Sequence, residues 1–177
     1  VQKLGPATRE KIKPGEMPLL VKQAFIAAED RRFYEHNGVD IWGIGRALVR
    51  NVRQGAVREG ASTITQQLAR TVFLSQDRTI TRKIKEAALA YKLERQLSKE
   101  QILEQYLNYV YLGASAYGLS DAAWVYFSKT PNQLNLQEAA LIAGLPPAPS
   151  VYSPLVNPDL ALELSLIHIS EPTRPDE

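Results

Sequence analysis

The chain has 177 residues, 45% hydrophobic and 23% charged, which suits one domain or a lobed domain with its own core. Cysteine is absent, so disulfides and thiolate metal sites are excluded, and no run of 18 apolar residues is present to span a membrane. The net charge of +2 hides an uneven spread: from Arg46 to Glu100, twelve Lys or Arg face five acids. A patch of that sign attracts phosphates, anionic lipid or nucleic acid.

Residues 1–16, with Pro6, Pro14 and Gly15, read as an extended lead-in. Val1 is not a natural start and no signal peptide is visible, so the chain is expected to be an excised piece. Pro18 opens a predicted helix through Leu20, Ala24, Phe25 and Ala28, ending near Asp30. From Ile41 to Val52, Ile41, Ile44, Ala47, Leu48 and Val52 recur at helical spacing, with Arg46, Arg50 and Arg53 on another face; a loop follows to Gly60. Thr63-Ile64-Thr65-Gln66 fits a capping box that starts a helix to about Phe73. Arg78–Leu97 is the longest predicted helix, with Ile80, Ile84, Ala87, Ala88 and Tyr91 as its core face. Ser98 to Gln101 is a second capping box, opening a helix to Asn108. Another helix is expected around Tyr117–Phe127, and Asn135 to Glu138 caps an apolar one that ends at Gly144. The fold class is mainly α, with at most a minor hairpin.

Residues 17–163 are read as the folded domain. The string from Leu164 to Arg174 resembles the translation of a sequencing-library adapter, so 164–177 is expected to be a non-native tail, and His168 is set aside.

Chemistry concentrates in two places. Glu29 falls at the end of a predicted apolar helix, where the negative dipole end disfavours its ionised form, as a general base near neutral pH requires. Taken alone, its Glu-Asp-Arg-Arg string reads first as a solvated acid paired with Arg31 or Arg32. Asp30 reads equally as a cap and His36 as a structural, hydrogen-bonded side chain. The run Ser62, Thr63, Thr65, Gln66 and Gln67 lies at a helix N-terminus, a natural anion or sugar-hydroxyl site. Capping explains Thr63 and Gln66 in part, but not Gln67 or Arg70. Arg82 and Glu86 form an i,i+4 pair beside Lys83 and Lys85; on an exposed helix face it contributes only about 0.3 kcal/mol.

Four segments in order carry more than their parts: EDRRFYEHNG (Glu29–Gly38), GASTITQQLAR (Gly60–Arg70), RKIKE (Arg82–Glu86) and KEQILEQYLN (Lys99–Asn108). They resemble the successive motifs of the family-51 peptidoglycan glycosyltransferases, and the likeness continues to GLPPAPSVYSPLVNP (Gly144–Pro158). The resemblance implies a lysozyme-like helical lobe with a smaller membrane-facing jaw lobe. It implies polymerisation of lipid II by inverting transfer, with β-1,4 links formed and undecaprenyl pyrophosphate released. Glu29 matches the general base, and Glu86 a catalytic carboxylate that orients groups near the donor. Arg70, Arg82 and Lys83 match phosphate-contacting positions, and many members carry Lys where this chain has Arg70. Ser62, Thr63, Gln66 and Gln67, with Asp30, Phe33 and His36, complete the implied substrate-binding set.

The implied partners are lipid II, the growing glycan, the membrane surface and other cell-wall synthesis proteins, at the extracytoplasmic face of a bacterial membrane, with no nucleic acid. No cofactor is obligatory, no metal-ligand cluster is visible, and Mg2+ or another divalent cation is an optional assistant. Two rivals share the residues: a lysozyme-like glycan hydrolase, and a non-enzymatic helical module binding nucleic acid through the basic third.

Overall fold

The computed structural model describes residues 10–54, 61–73 and 79–163. The loop to Gly60, the helix start at Arg78 and the tail with His168 lie outside the described residues. The α-helices among those described include α1 (Leu19–Glu29), α2 (Ile41–Gln54), α3 (Ile64–Phe73), α4 (Ile80–Gln96), α5 (Lys99–Tyr109), α6 (Leu119–Phe127), α7 (Leu136–Ala143) and α8 (Pro149–Tyr152), and residues 158–163 are helical too. The only β pairing among the described residues is an isolated antiparallel bridge between Tyr111 and Tyr117. The mainly α expectation holds. The chain divides into two compact units, one of residues 1–31 and 104–177, the other of residues 32–103.

In the first unit α1 packs on α7. Phe25 of α1 is fully buried and meets Tyr106 edge-on, ring centroids 6.0 Å apart. The buried positions of α7 are Ala139, Ala140, Ile142 and Ala143, three of them alanines that permit close helix packing. The Asn135 cap is reciprocal: its side chain accepts from Glu138 N at 2.9 Å, and Asn135 N donates to Glu138 at 3.0 Å. The chain ahead of α1 is fastened to the last turns of α5. Asn108 accepts from Ile12 N and donates to Ile12 O, each at 3.0 Å, so one side chain serves as a surrogate strand. Glu104 accepts from Gly15 N at 2.9 Å and lies 3.8 Å from Lys22.

The second unit is built around α3 packed on α4. Its apolar core draws on Phe33, Ile64, Leu68, Ala69, Ala90, Ile102 and Leu103. Both expected capping boxes form: Thr63 and Gln66 exchange bonds of 3.0 and 3.1 Å, Ser98 and Gln101 bonds of 2.9 and 3.2 Å.

The core face expected for α4 is wrong. Ile80 is 83% and Ile84 65% exposed, Ala88 and Tyr91 are exposed as well, and Ala87 is only partly covered. The buried positions are Glu86 and Ala90, one turn apart. The physical reason lies on α3, which buries Thr65, Gln66 and Gln67 beside Ile64 and Leu68. A half-polar surface is matched by a partner face bearing cations and a carboxylate, so hydrogen-bonding capacity outweighs the apolar stripe. Among the α2 residues whose burial is described only Ala47 is buried; Ile41, Trp42, Leu48 and Val52 stand in the open.

Candidate active site

The described site residues fall in both units, and each unit is taken by itself. In the second unit the centre is Glu86. Its residue is 0% exposed, so it is not the solvated partner in a surface pair that its spacing alone suggests. Burying a carboxylate is costly unless it is paired, and Glu86 is paired repeatedly. Arg82 Nε lies 3.1 Å from Oε1, Lys83 Nζ donates to Oε2 at 3.0 Å, and Arg70 Nη1 stands 4.0 Å from Oε1.

Helix geometry makes this arrangement local. Thr79 caps α4 by accepting from Arg82 N at 3.1 Å, which fixes the first turn. Arg82 and Lys83 then sit one turn before Glu86 on the same side. Arg70 arrives from the end of α3. Lys83 also donates to Ser62 Oγ, joining the residue ahead of α3 to the carboxylate through one ammonium. Three cations about a single carboxylate leave the cluster with excess positive charge. Half of the Lys83 side chain and a third of Arg70 remain open to solvent, where an anion can meet them.

A second group in this unit gathers the loop that follows Arg31. Phe33 is fully buried and His36 nearly so, their rings edge-on at 6.2 Å. His36 Nδ1 accepts from Gly38 N at 3.1 Å, which leaves Nε2 as the ring's donor position. Thr63 Oγ1 donates to Gly38 O at 2.6 Å, tying this loop to the start of α3. Gly38 has φ +97° and its α-carbon faces the Ala90 backbone; a Cβ there would lie 2.8 Å from Ala90 C. Arg32 turns to Glu35 and Asp40, at 2.8 and 3.1 Å. Tyr34 donates to Glu100 at 2.8 Å; partial burial and that carboxylate push its phenol up to about 12.

Two residues outside the site set expected from the sequence belong here, one of them the first residue of the fourth motif. Lys99 Nζ donates to His36 O at 2.6 Å and to Glu94 Oε1 at 2.7 Å, and lies 4.5 Å from the Phe33 ring centre. Glu94 also accepts from Thr65 Oγ1 at 2.7 Å. The signal in the sequence was a cation as the first residue of a helix, a place the dipole disfavours.

In the first unit Glu29 is the last residue of α1 and is half-buried. No basic residue occupies the last turn of α1, so the helix dipole there goes uncompensated from within the helix. Asp30, buried, is the C-cap, its N–H donating to Ile26 O at 3.0 Å. Arg31 Nε donates to Ala27 O at 3.3 Å, occupying another of the final carbonyls. The structure thus joins Ser62, Arg70, Arg82, Lys83 and Glu86 in one cluster and Phe33, His36 and Thr63 in another. Gln66 serves its capping box and Gln67 is buried on α3.

Comparison with known proteins gives consistent matches. A family model described as "Transglycosylase" matches residues 1–170. Penicillin-binding protein 1A of Neisseria flavescens is 55% identical over 157 residues, 89% of this chain and 20% of that protein. Penicillin-binding protein 1F of Bacillus subtilis is 47% identical over 159 residues, covering 90% of this chain and 22% of that protein. The crystal structure of penicillin-binding protein 1A from Haemophilus influenzae is similar at 23% identity and a TM-score of 0.49, over 92% of this chain and 14% of that one. The chain therefore spans about a fifth of the length of the curated relatives it matches.

Proposed function

The chain belongs to the transglycosylase family, and from that membership we propose that it is a peptidoglycan glycosyltransferase that polymerises glycan from lipid II. The observation that carries the reading is the fully buried Glu86 held by Arg70, Arg82 and Lys83. A diphosphate leaving group gathers negative charge as its bond to sugar breaks, and preorganised cations stabilise that charge at no cost in reorganisation.

In the proposed reaction Glu29 takes the proton from the acceptor's 4-hydroxyl. The freed oxygen attacks the anomeric carbon of the growing chain from the face opposite the diphosphate. The new β-1,4 bond forms as the old carbon–oxygen bond breaks, its electron pair passing to the departing undecaprenyl pyrophosphate. One displacement inverts the centre, so one base suffices and no enzyme nucleophile is needed. Glu86 holds its cations in place, Arg70, Arg82 and Lys83 meet the diphosphate, and Ser62, Thr63, Gln66 and Gln67 with Asp30, Phe33 and His36 hold the sugars. Among the described residues no group of three or more His, Cys, Asp or Glu side chains is placed to hold a metal ion; Mg2+ or another divalent cation stays an optional assistant that would neutralise the departing diphosphate.

No helix among the described residues is long and apolar enough to cross a membrane. The exposed Ile41, Trp42, Leu48 and Val52 on α2, with Arg46, Arg50 and Arg53 on the same helix, instead suit contact with an anionic bilayer surface. We read the face concerned as the outer one of a bacterial membrane, as the family resemblance implies. Vesicles of anionic lipid should shift tryptophan emission to the blue in the native chain and not in Trp42→Phe; equal shifts would remove α2 from the contact.

The test of the reaction is incubation with lipid II. The native chain should build glycan strands, and Glu29→Gln should lower turnover by about 10²- to 10⁴-fold with lipid binding largely kept. Shortened glycan without polymer would mean hydrolysis, and a Glu29→Gln chain with most of its turnover would dismiss Glu29 as the base.

A further inference from the structure

The basic cluster around Glu86 uses Lys83, Arg82 and Arg70 but leaves a partly buried ammonium unexplained, that of Lys99. Lys99 is the first residue of α5, where the helix dipole disfavours a cation. Its side chain leaves that position and turns toward other residues of the second unit, to which Lys99 itself belongs. There Nζ meets the His36 carbonyl and the Glu94 carboxylate, 2.6 and 2.7 Å away, over the face of Phe33. The pair is well covered, with 20% of the Lys99 and 6% of the Glu94 side chain exposed. Glu94 in turn receives the Thr65 hydroxyl from the first turn of α3. The next residue of α5, Glu100, receives the Tyr34 hydroxyl. The first turn of α5 therefore grips the segment between Phe33 and Gly38 at two points.

We propose that Lys99 is a positioning residue: through Glu94 and the His36 carbonyl it holds the Phe33–Gly38 loop in register with the Thr63–Gln67 end of α3. Loop and helix end are the stretches assigned above to sugar binding, so the catalytic part of the proposal rests on the glycosyltransferase reading. The structural part does not. A single ammonium suits the task because it can donate to a carbonyl and a carboxylate at once while facing a ring, three roles a neutral side chain of similar length cannot combine. His36 Nδ1 is engaged by Gly38 N, so a loop released from Lys99 frees the orientation of that imidazole as well.

Two measurements on the full chain separate the parts. Amide hydrogen exchange, which needs no activity, compares the native chain with Lys99→Met. The amides of Glu35, Gly38 and Gln66 should exchange at least ~10-fold faster, while those of Ile102 and Lys83 hold their rates. Since Lys99→Met leaves the Glu94 carboxylate buried and unpaired, Lys99→Met with Glu94→Gln is measured alongside; it restores charge balance and should show the same local acceleration. Unchanged exchange at those three amides in the double variant, or acceleration spread evenly over the unit, would overturn the proposal. With lipid II, the double variant should lose about 10- to 100-fold in kcat, as expected when reacting groups are misplaced by about 1 Å, with KM little altered. Native kcat in that variant would overturn the catalytic part. A native chain that builds no glycan would instead count against the glycosyltransferase reading, with the exchange result still deciding what Lys99 holds.

Discussion

Replacing Glu86 by Gln should destabilise the second unit by about 3 kcal/mol, a value that follows from which cations can return to water. Arg82 and Lys83 lie 3.1 and 3.0 Å from the carboxylate. At an effective dielectric of about 20, each has a gross attraction of roughly 5 kcal/mol, much of it offset by desolvating the acid. Glutamine keeps the shape and one acceptor oxygen but removes the charge. Lys83 and Arg70, 46% and 34% exposed, regain hydration with small movements. Arg82, at 14%, cannot. One covered cation that loses its carboxylate, rather than three, sets the loss at the lower edge of the range for broken buried pairs, about 3 kcal/mol, or roughly 6–12 °C in Tm for a chain of this size. Urea denaturation followed by far-ultraviolet circular dichroism measures it. Arg70→Met, which removes a partly exposed charge 4.0 Å away, should cost under about 1 kcal/mol in the same assay. A Glu86→Gln chain within about 0.5 kcal/mol of native would refute the view that the carboxylate organises this cluster.

Gly38→Ala should destabilise by more than about 2 kcal/mol, since its Cβ would press on the Ala90 backbone at 2.8 Å from a positive φ; thermal denaturation reads the loss directly. Glu138 gives a pH signature: desolvation raises its pKa but is outweighed by the Lys129 ammonium at 2.6 Å and the Asn135 amide, so the value lies below the ordinary 4.5. A depressed folded value adds stability above 4.5 and loses it as pH falls through the folded pKa. The advantage of the native chain over Glu138→Gln should therefore shrink on acidification; an advantage that is constant with pH would contradict the pairing.

The helix starts were legible because capping is local. Thr63 with Gln66, Ser98 with Gln101, and Asn135 with Glu138 each close within one turn, and all three form as read. The buried face of α4 was not, because periodicity marks the apolar stripe and α3 offers a polar one. Ile80 and Ile84 yield to Glu86 only once Thr65, Gln66 and Gln67 are known to be inside. Local rules fail in this way where a site has been built into a core. Lys99 escaped for a different reason: its role depends on His36, 63 residues earlier, and spacing along the chain carries no trace of that meeting.

The fastening of Ile12 by Asn108 has a mechanical consequence. Tension arriving along the polypeptide is borne by the Lys11 ammonium on Asn108 O and Tyr117 O together with the two opposed Ile12–Asn108 hydrogen bonds, then by the Gly15–Glu104 bond. All lie upstream of Pro18, so the helix that ends at Glu29 is shielded from tugging at its own N-terminus.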